Sequence, residues 1–262
     1  MNRDYEVALK AAREGAKIVK SYNNGDLKIS YKGVNDLVTD ADKATEKAIR
    51  NVINENFPED AFMGEESAEN LQVPSGRVWI VDPIDGTTNF AYGFPVYCVS
   101  VALWIDRQPE AGVVIEINLN EEFSAYRGGG AWLNGKRINV SSLEKPEAAL
   151  VGTGFPYRDY NLMDHYMNLM RNLLDKVQGL RRPGAAAFDL CCVAAGRFQG
   201  YYEYGLSPWD VAAAGLIIQE AGGVISNWRG GEDWISGDQI VAGNGAIHRF
   251  LMSEIAAFIP EA

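Results

Sequence analysis

The stretch 78–90 holds two carboxylates, Asp82 and Asp85, three positions apart. The apolar run 78–81 before them predicts a short buried strand that ends after Asp82, where Pro83 follows. Carboxylate oxygens are the ligands that hard cations such as Mg²⁺ prefer. The pair therefore indicates a metal site, although Asp, Pro and Gly are also the ordinary residues of a turn.

Residues 86–89 have the composition of an anion-binding helix start. Gly86 permits a sharp turn and a close approach between backbone and ligand. Thr87, Thr88 and Asn89 favour the first positions of a helix, where unpaired N–H groups bind phosphate. A metal held beside a phosphate is the arrangement of a phosphoryl-transfer site.

Three further carboxylates and one lysine stand where such a site could draw on them. Glu65 follows a short apolar run and a glycine, and Asp210 begins a nearly all-apolar helix. Asp42 stands three residues after Thr39, and Lys32 lies in a polar loop. Each also has an ordinary interpretation: a solvated glutamate, a helix N-cap, a capping box and a surface lysine.

The composition limits the classes of partner. With 47% hydrophobic and 23% charged residues, the chain of 262 residues can bury a sizeable core. Its net charge of −11 argues against nucleic acid or an anionic membrane as a direct partner. An acidic protein that binds a phosphate ester also needs cations to bridge the two. No apolar stretch approaches the roughly eighteen residues of a membrane span, and no signal peptide is recognisable.

Cysteines and histidines add further limits. Cys98, Cys191 and Cys192 lie in apolar segments, which predicts reduced core thiols and a cytoplasmic protein. His165 and His248 are the only histidines. A histidine-based zinc site or a Ser-His-Asp triad therefore has little material to draw on.

Hydrophobic periodicity predicts two helices and a mostly antiparallel sheet in the first half of the chain, and alternating strands and helices in the second. We place the boundary in a polar connection, which gives an N-terminal lobe of 1–145 and a smaller C-terminal α/β lobe of 146–262. The predicted helices are 5–22, 40–55, 163–177, 188–195, 211–221 and 247–258, and the predicted strands include 27–31, 96–105, 111–117, 122–127, 136–140, 149–152, 200–203, 224–226 and 239–242.

Together these stretches resemble the signature set of the inositol monophosphatase family, over essentially the whole chain. Members of that family are magnesium-dependent, lithium-sensitive phosphatases of sugar and polyol phosphates. The resemblance implies an α/β (α+β) fold, a layered αβαβα sandwich of the sugar-phosphatase type, with the site where the two lobes meet. The motifs that carry it are 36–42, Gly64-Glu65-Glu66-Ser67, 82–90, Gly184-Ala185-Ala186, Trp209-Asp210-Val211-Ala212 and Glu220-Ala221-Gly222-Gly223.

The resemblance implies ligands for two or three Mg²⁺ ions. The first ion would be held by Glu65, Asp82 and the backbone carbonyl of Ile84, and the second by Asp82, Asp85 and Asp210. A third, weaker ion would be held through Glu65 and water. The residue chemistry agrees, because four clustered carboxylates would repel one another without cations.

The resemblance also implies roles around the phosphate. Asp42 and Thr87 resemble the pair that hydrogen-bonds near the attacking water and polarises it, and Glu65 counts with them as catalytic. Gly86 and Thr87 would cradle the phosphate through their N–H groups. Lys32 lies in a loop that, in relatives, closes towards the metals.

Substrate contacts are implied in the same way. Glu203 matches a position that contacts substrate hydroxyls, Ala186 lines the sugar pocket, and Asp210 borders both metal and substrate. Two Mg²⁺ ions would lower the pKa of a bound water and stabilise the leaving alkoxide. Direct attack by that water needs no protein nucleophile, so no phosphoenzyme is expected.

The expected activity is hydrolysis of myo-inositol monophosphate, with alternatives left open. Ser207 stands where some animal members carry a histidine, and 152–157 resembles bacterial members of broader activity. Fructose 1,6-bisphosphate, NADP, adenosine 3′,5′-bisphosphate and histidinol phosphate are therefore alternative substrates. A regulatory role in RNA processing or transcription is a third hypothesis, since some bacterial relatives bind that machinery. Relatives are commonly homodimers, so a homodimer is expected, with apolar surface on the central strands as a possible contact.

Overall fold

The computed structural model describes residues 3–22, 29–33, 36–155, 157, 160–236 and 238–259. The helices in these ranges are α1 (Arg3–Tyr22), α2 (Asp40–Asn56), α3 (Thr87–Ala91), α4 (Met163–Leu174), α5 (Ala186–Ala194), α6 (Pro208–Glu220) and α7 (Gly245–Phe258). The strands are β1 (Ile29–Gly33), β2 (Asp36–Thr39), β3 (Ala61–Gly64), β4 (Arg77–Asp85), β5 (Cys98–Ile105), β6 (Gln108–Glu116), β7 (Glu121–Tyr126), β8 (Ala131–Leu133), β9 (Lys136–Ile138), β10 (Leu150–Thr153), β11 (Gly179–Arg181), β12 (Gly200–Tyr204), β13 (Val224–Ser226) and β14 (Gln239–Gly243).

The strands form two main sheets and one hairpin. The first sheet has the order β3-β4-β5-β6-β7-β8-β9, in which the β3–β4 pair is parallel and every other pair is antiparallel. The second sheet has the order β11-β10-β12-β14-β13, and β10 runs parallel to both of its neighbours. Strands β1 and β2 pair separately as an antiparallel hairpin.

Five layers result from the way the helices cover these sheets. Helices α1 and α2 pack on one face of the first sheet, and α6 packs on its other face. Helix α5 lies beside α6 and contacts the second sheet, whose far face is covered by α4 and α7. The predicted αβαβα sandwich, with its mostly antiparallel first sheet, is confirmed.

The apolar run 78–81 has no hydrophobic alternation because both of its faces are buried. Trp79 and Val81 pack with α1 and α2, whereas Val78 and Ile80 belong to the core shared with α5 and α6. Helix α6 is buried almost all round for the same reason, since it lies between sheets. The central strands therefore offer no apolar surface to a second subunit, and that part of the homodimer expectation is wrong.

Several predicted boundaries also differ from the structure. Strand β4 continues through Pro83 to Asp85 instead of ending after Asp82, and α6 begins three residues before its predicted start. Strands β8 and β11 were not among the predicted strands. The predicted strand 27–31 lies partly outside the described residues. Its described part belongs to β1.

The division into lobes of 1–145 and 146–262 stays a prediction. No helix among the described residues combines the length and the apolar composition needed to cross a membrane.

Candidate active site

A β-bulge in β4 brings Asp82 and Asp85 to the same side of the first sheet. Asp82 pairs with Ser100 of β5 and Asp85 with Cys98, so three steps along β4 face two steps along β5. Residues three apart in a regular strand point to opposite faces, and one extra residue reverses that relation. A bulge also tolerates Pro83, which has no N–H for the ladder.

Three carboxylates converge at this bulge. Oxygen atoms of Asp82, Asp85 and Asp210 all lie within 4.8 Å of one another. Asp82 and Asp85 are 2% and 7% exposed, whereas Asp210 is partly exposed. Glu65, immediately after β3, contacts Asp82 through its carboxyl group, so the four acids that the sequence nominated as metal ligands meet at one place.

Burial and mutual repulsion disfavour charge on this cluster. Burial raises the pKa of Asp82 well above its usual range, and the negative charges of Glu65, Asp85 and Asp210 raise it further. Burial likewise raises the pKa of Asp85 to about 6, although three hydrogen-bond donors oppose that shift. Carboxylates in such surroundings keep their charge when a cation lies between them.

The donors to Asp85 come from two elements. The backbone N–H groups of Ala186 and Ala187, at the start of α5, donate to Oδ1 at 3.2 Å and to Oδ2 at 2.7 Å. The thiol of Cys98 on β5 lies 3.5 Å from Oδ2. Ala186, predicted to line the sugar pocket, thus lies directly against the carboxylate cluster.

Asp210 reaches the cluster from the first turn of α6. The N-cap of this helix is Ser207, whose backbone N–H donates to Asp210 Oδ2 at 2.7 Å in a capping box. The expectation that Asp210 itself is the N-cap is therefore wrong, since it occupies the third helical position. Pro208 at the first position favours the helix start, because its fixed φ suits a helix and its missing N–H needs no partner there.

Asp42 and Thr87 are in contact, as expected for a pair that acts together. Thr87 Oγ1 lies 3.2 Å from Asp42 Oδ1 and 2.9 Å from the carbonyl oxygen of Ile84. The other oxygen of Asp42 accepts from the N–H and the hydroxyl of Thr39, at 2.8 and 2.6 Å. The capping-box interpretation and the site interpretation of Asp42 are therefore compatible. The carbonyl of Ile84, a predicted metal ligand, lies beside this pair.

Gly86 is required where it stands. Its φ of +90° is in the left-handed region, and a Cβ there would come within 3.0 Å of the Val96 carbonyl oxygen. Helix α3 begins at the next residue, so the N–H groups at its first positions have no partner within the helix. Asn89 ties this turn to the start of α5, since its side-chain amide donates to the carbonyls of Val96 and Pro183.

Glu203 lies at the end of β12, 9% exposed, and accepts a hydrogen bond from the hydroxyl of Tyr201. Burial raises the pKa of Glu203 to about 8, although the Tyr201 contact lowers it. The charge of Asp210 also raises this pKa, which places Glu203 near the cluster. Lys32 belongs to β1, but its side chain lies outside the described part of the structure.

Sequence reasoning missed two residues that contact the site. Cys98 had been interpreted only as a core thiol, and its contact with Asp85 depends on the register of β4 against β5. Tyr201 stands two residues before Glu203 on the same strand, so period-two spacing was a usable signal that both side chains face one way.

The cluster has the chemistry of a site for a hard divalent cation. Its converging donors are carboxylate oxygens, held by a strand bulge and by the first turn of a helix. Mg²⁺ and Ca²⁺ prefer such oxygens, whereas Zn²⁺ sites use imidazole or thiolate ligands. The residues present therefore fit the metal that the resemblance implies.

The layered fold and the carboxylate site place the chain in the class of metal-dependent phosphatases. More specifically, a sequence model of the inositol monophosphatase family matches residues 1–260, and the chain belongs to that family. The resemblance inferred from the motifs is thereby confirmed.

Individual relatives span nearly the whole chain. The Nus factor SuhB of Pseudomonas aeruginosa is 40% identical over 260 residues, which cover 97% of this chain and 96% of the relative. The chloroplastic phosphatase IMPL1 of Arabidopsis thaliana is 41% identical, over 96% of this chain and 69% of the relative. The crystal structure of the extragenic suppressor protein suhB from Bartonella henselae superimposes with a TM-score of 0.91 at 37% identity, covering 97% of this chain and 98% of that one.

Proposed function

We propose that this protein is a Mg²⁺-dependent phosphomonoesterase that hydrolyses myo-inositol monophosphate to inositol and phosphate. The observation that carries the proposal is the convergence of Asp82, Asp85 and Asp210 within 4.8 Å, with Glu65 against Asp82. Four acids gathered in a largely buried place are costly unless cations neutralise them. A substrate with a phosphate dianion also needs those cations to approach a protein of net charge −11.

The ligand sets follow the family pattern. Glu65, Asp82 and the carbonyl of Ile84 would hold one ion, and Asp82, Asp85 and Asp210 a second, with a third held weakly through Glu65. When bound, Mg²⁺ supplies Lewis acidity: it lowers the pKa of a water molecule and neutralises the phosphate and the leaving alkoxide.

The protein groups around the ions orient the reactants. In this scheme the Thr87 hydroxyl donates a hydrogen bond to Asp42 Oδ1, which leaves a lone pair of Thr87 Oγ1 to accept a hydrogen bond from the attacking water and orient it. The N–H groups of Gly86 and Thr87 would bind phosphate oxygens at the start of α3. No side-chain nucleophile takes part in this scheme, so phosphate passes directly to water.

The other end of the substrate would be held by α5 and β12. Glu203, supported by Tyr201, offers acceptor oxygens to ring hydroxyls, and the start of α5 at Ala186 forms the wall beside them. A buried carboxyl group needs hydrogen-bond donors. A polyol provides several hydroxyl donors, whereas an apolar substrate provides none.

The test is phosphate release from a panel of esters, with and without Mg²⁺. The panel contains inositol 1-phosphate, fructose 1,6-bisphosphate, NADP, adenosine 3′,5′-bisphosphate and histidinol phosphate, and kcat/KM is compared among them. We expect Mg²⁺-dependent turnover that is highest for inositol 1-phosphate and is lost in Asp82→Asn, while the fold is kept. Near-normal turnover by that variant would refute the metal assignment, and a higher kcat/KM for another ester would reassign the substrate.

A regulatory role is the second candidate function, because one of the relatives is named a Nus factor. In this role the protein would bind a protein partner in RNA processing or transcription. Deleting the gene and restoring it as Asp85→Asn separates the candidates. Restoration of the cellular phenotype without phosphatase activity would favour the regulatory role, and failure to restore it would favour catalysis.

We also propose a homodimer, as in relatives. The described residues expose several large apolar side chains, among them Tyr92, Phe94 and Leu119. Tyr92 and Phe94 follow α3, and Leu119 lies in the β6–β7 turn. Light scattering coupled to size-exclusion chromatography gives the mass in solution. A mass of one chain at micromolar concentration would remove this proposal. The cytoplasmic location stays a prediction from the reduced cysteines.

A further inference from the structure

Glu46 is a buried carboxylate with no role in the scheme above. It lies one turn after Asp42 on α2 and is 5% exposed. Its Oε2 accepts a hydrogen bond of 2.8 Å from the backbone N–H of Glu66. A carboxylate this deeply buried needs such partners, so the contact fixes both the side chain and the backbone that it meets.

The backbone that Glu46 meets is the turn from which Glu65 reaches the cluster. Around this turn the N–H of Glu65 donates to the carbonyl of Val81, and the N–H groups of Ser67 and Ala68 donate to the carbonyl of Gly64. The N–H of Glu66 instead donates to a side chain from another element. Glu46 therefore supplies the one tertiary contact in this row of donors that comes from outside the sheet and the turn.

The position of β3 in the sheet makes that contact important. Among the described strands, β3 lies at the edge of its sheet and pairs only with β4. In the described part of the chain, no strand lies on the outer side of the turn that follows β3. Helix α2 takes that place, because Glu46 reaches across to the turn from the layer that covers the sheet.

Two neighbouring residues, Gly64 and Arg50, accommodate the Glu46 carboxylate in this position. A Cβ at Gly64 would collide with Glu46 Oε2, so only glycine leaves room for the carboxylate. Arg50, one turn further along α2, lies 3.5 Å from Glu46 Oε1, donates to the hydroxyl of Ser67 and stacks 4.1 Å over the ring of Phe62. One face of α2 thus holds both the end of β3 and the turn beyond it.

We propose that Glu46 is a positioning residue: it fixes the turn that carries Glu65 and thereby sets the affinity of the first Mg²⁺ site. Glu46 does not touch the metal in this proposal, because its oxygens already accept from Glu66 and Arg50. The proposal rests on the proposed function, since it takes Glu65 as a metal ligand. Removing a group that orients a metal ligand typically weakens metal binding by about 10–100-fold.

The experiment measures Mg²⁺ binding without substrate, by isothermal titration calorimetry. Glu46→Met keeps the volume and removes the acceptor, and Glu46→Gln keeps an acceptor for the Glu66 N–H. We expect Glu46→Met to bind Mg²⁺ about 10–100-fold more weakly and Glu46→Gln to recover most of that loss. In turnover assays, Glu46→Met needs more Mg²⁺ for half-maximal rate, whereas KM for the ester at saturating Mg²⁺ stays the same.

The matched control is Asp60→Ala. Asp60 is also a largely buried carboxylate, and it accepts from Arg77 and Trp79 just before β3, at the end of that strand away from Glu65. This variant should lose thermal stability and keep its Mg²⁺ affinity. If Glu46→Met matches Asp60→Ala in both respects, Glu46 is merely structural and the proposal is overturned.

A double variant separates this proposal from the proposed function. Because Glu46 acts through Glu65, Glu46→Met combined with Glu65→Ala should bind Mg²⁺ no more weakly than Glu65→Ala alone. Additive losses would overturn the positioning role, and a Glu65→Ala variant with unchanged binding would overturn the metal assignment itself. If Glu46→Met does not fold, Arg50→Met removes the lateral support of Glu46, and unchanged Mg²⁺ affinity there overturns the proposal.

Discussion

Helices α2 and α6 begin in the same way and put the same group to different uses. Each has a hydroxyl residue at the N-cap, Thr39 or Ser207, in nearly the same extended backbone conformation, with φ of −114° and −111°. Each has an aspartate at the third helical position, whose Oδ2 accepts from the N-cap N–H at 2.8 or 2.7 Å. In both helices the capping box thus holds one carboxylate oxygen and fixes the direction of the other.

The difference lies in what the second oxygen meets. Asp42 is fully buried and directs Oδ1 to the neutral hydroxyl of Thr87. Asp210 is partly exposed and adds its charge to Asp82 and Asp85. A capping box is a local motif that can be recognised from the sequence. Which group the second carboxylate oxygen contacts depends on the tertiary structure. Substitutions that keep the cap but change that oxygen are therefore the sharpest tests of the comparison.

The largest effect is expected from Asp210→Asn. The amide oxygen still accepts from the Ser207 N–H, so the helix start and the melting temperature should be nearly unchanged. The loss of one anionic ligand should lower kcat on the order of a thousandfold, because several kcal/mol of charge stabilisation are removed. Phosphate release at saturating Mg²⁺ measures this loss. A variant with more than a tenth of the normal rate would contradict a metal-binding role.

A smaller loss is expected at the other helix start. Thr87→Val removes the hydroxyl that Asp42 meets and keeps the shape of the side chain, which should lower kcat about a hundredfold, as for a residue that orients a proton transfer. Mg²⁺ affinity should change much less than kcat, since neither Thr87 nor Asp42 is itself a ligand, although Thr87 also donates to the carbonyl of Ile84. Thr87→Ser, which keeps the hydroxyl, is the control. Equal losses in Thr87→Val and Thr87→Ser would mean that packing, and not the proton, matters here.

The pH dependence of stability should report on Glu203, which lies on β12 near Asp210 of α6. Burial raises the pKa of Glu203 to about 8, from 4.5 in the unfolded chain. The folded protein therefore binds the extra proton between these values, and the stability of the metal-free protein falls as pH rises from 4.5 to about 8, by at most about 1.4 kcal/mol per pH unit for this group.

Glu203→Gln should flatten that dependence. Melting temperatures in EDTA at pH 5, 6, 7 and 8 give the slopes, and the difference between variant and wild type isolates Glu203 from Asp82 and Asp85, whose shifts have the same sign. Parallel curves would show that Glu203 has an ordinary pKa in the folded protein.

The smallest effects are expected from the caps themselves. Thr39→Ala and Ser207→Ala should each lower the free energy of unfolding by about 1 kcal/mol, because each removes one acceptor for an N–H of the first helical turn. Urea unfolding measures both. Thr39→Ala should also lower kcat, since the Thr39 hydroxyl donates to Asp42. A clearly larger loss of unfolding free energy in Ser207→Ala than in Thr39→Ala would show that the two helix caps differ in strength although their geometry is similar.

The sequence allowed much of the fold to be predicted, for reasons that particular elements illustrate. Helix α1 buries Val7, Ala11 and Val19 along one side, so the 3.6-residue spacing of its apolar residues can be recognised in the sequence alone. The strands of the β5–β6 hairpin are long enough to recognise. Strand β4 was predicted to be shorter than it is, because Pro83 is an ordinary strand terminator in the absence of a bulge.

Without the family resemblance, the site was predictable only where one motif supplies several groups. Asp82, Asp85, Gly86 and Thr87 are adjacent in the chain, so their proximity follows from spacing. Cys98 contacts Asp85, and Glu46 contacts the turn that carries Glu65. These contacts depend on strand register and helix packing, which no local pattern specifies. Without the family resemblance, Asp210 would have remained an ordinary capping residue.

Helix α6, which covers the inner face of the first sheet, has a consequence for how the chain is made. Strand β9, the last strand of that sheet, ends at Ile138, but its cover is complete only when the ribosome has delivered Glu220. At synthesis rates of about 5–20 residues per second, the nascent sheet waits on the order of ten seconds with an apolar face uncovered. Chaperone demand during translation should therefore be concentrated in that interval.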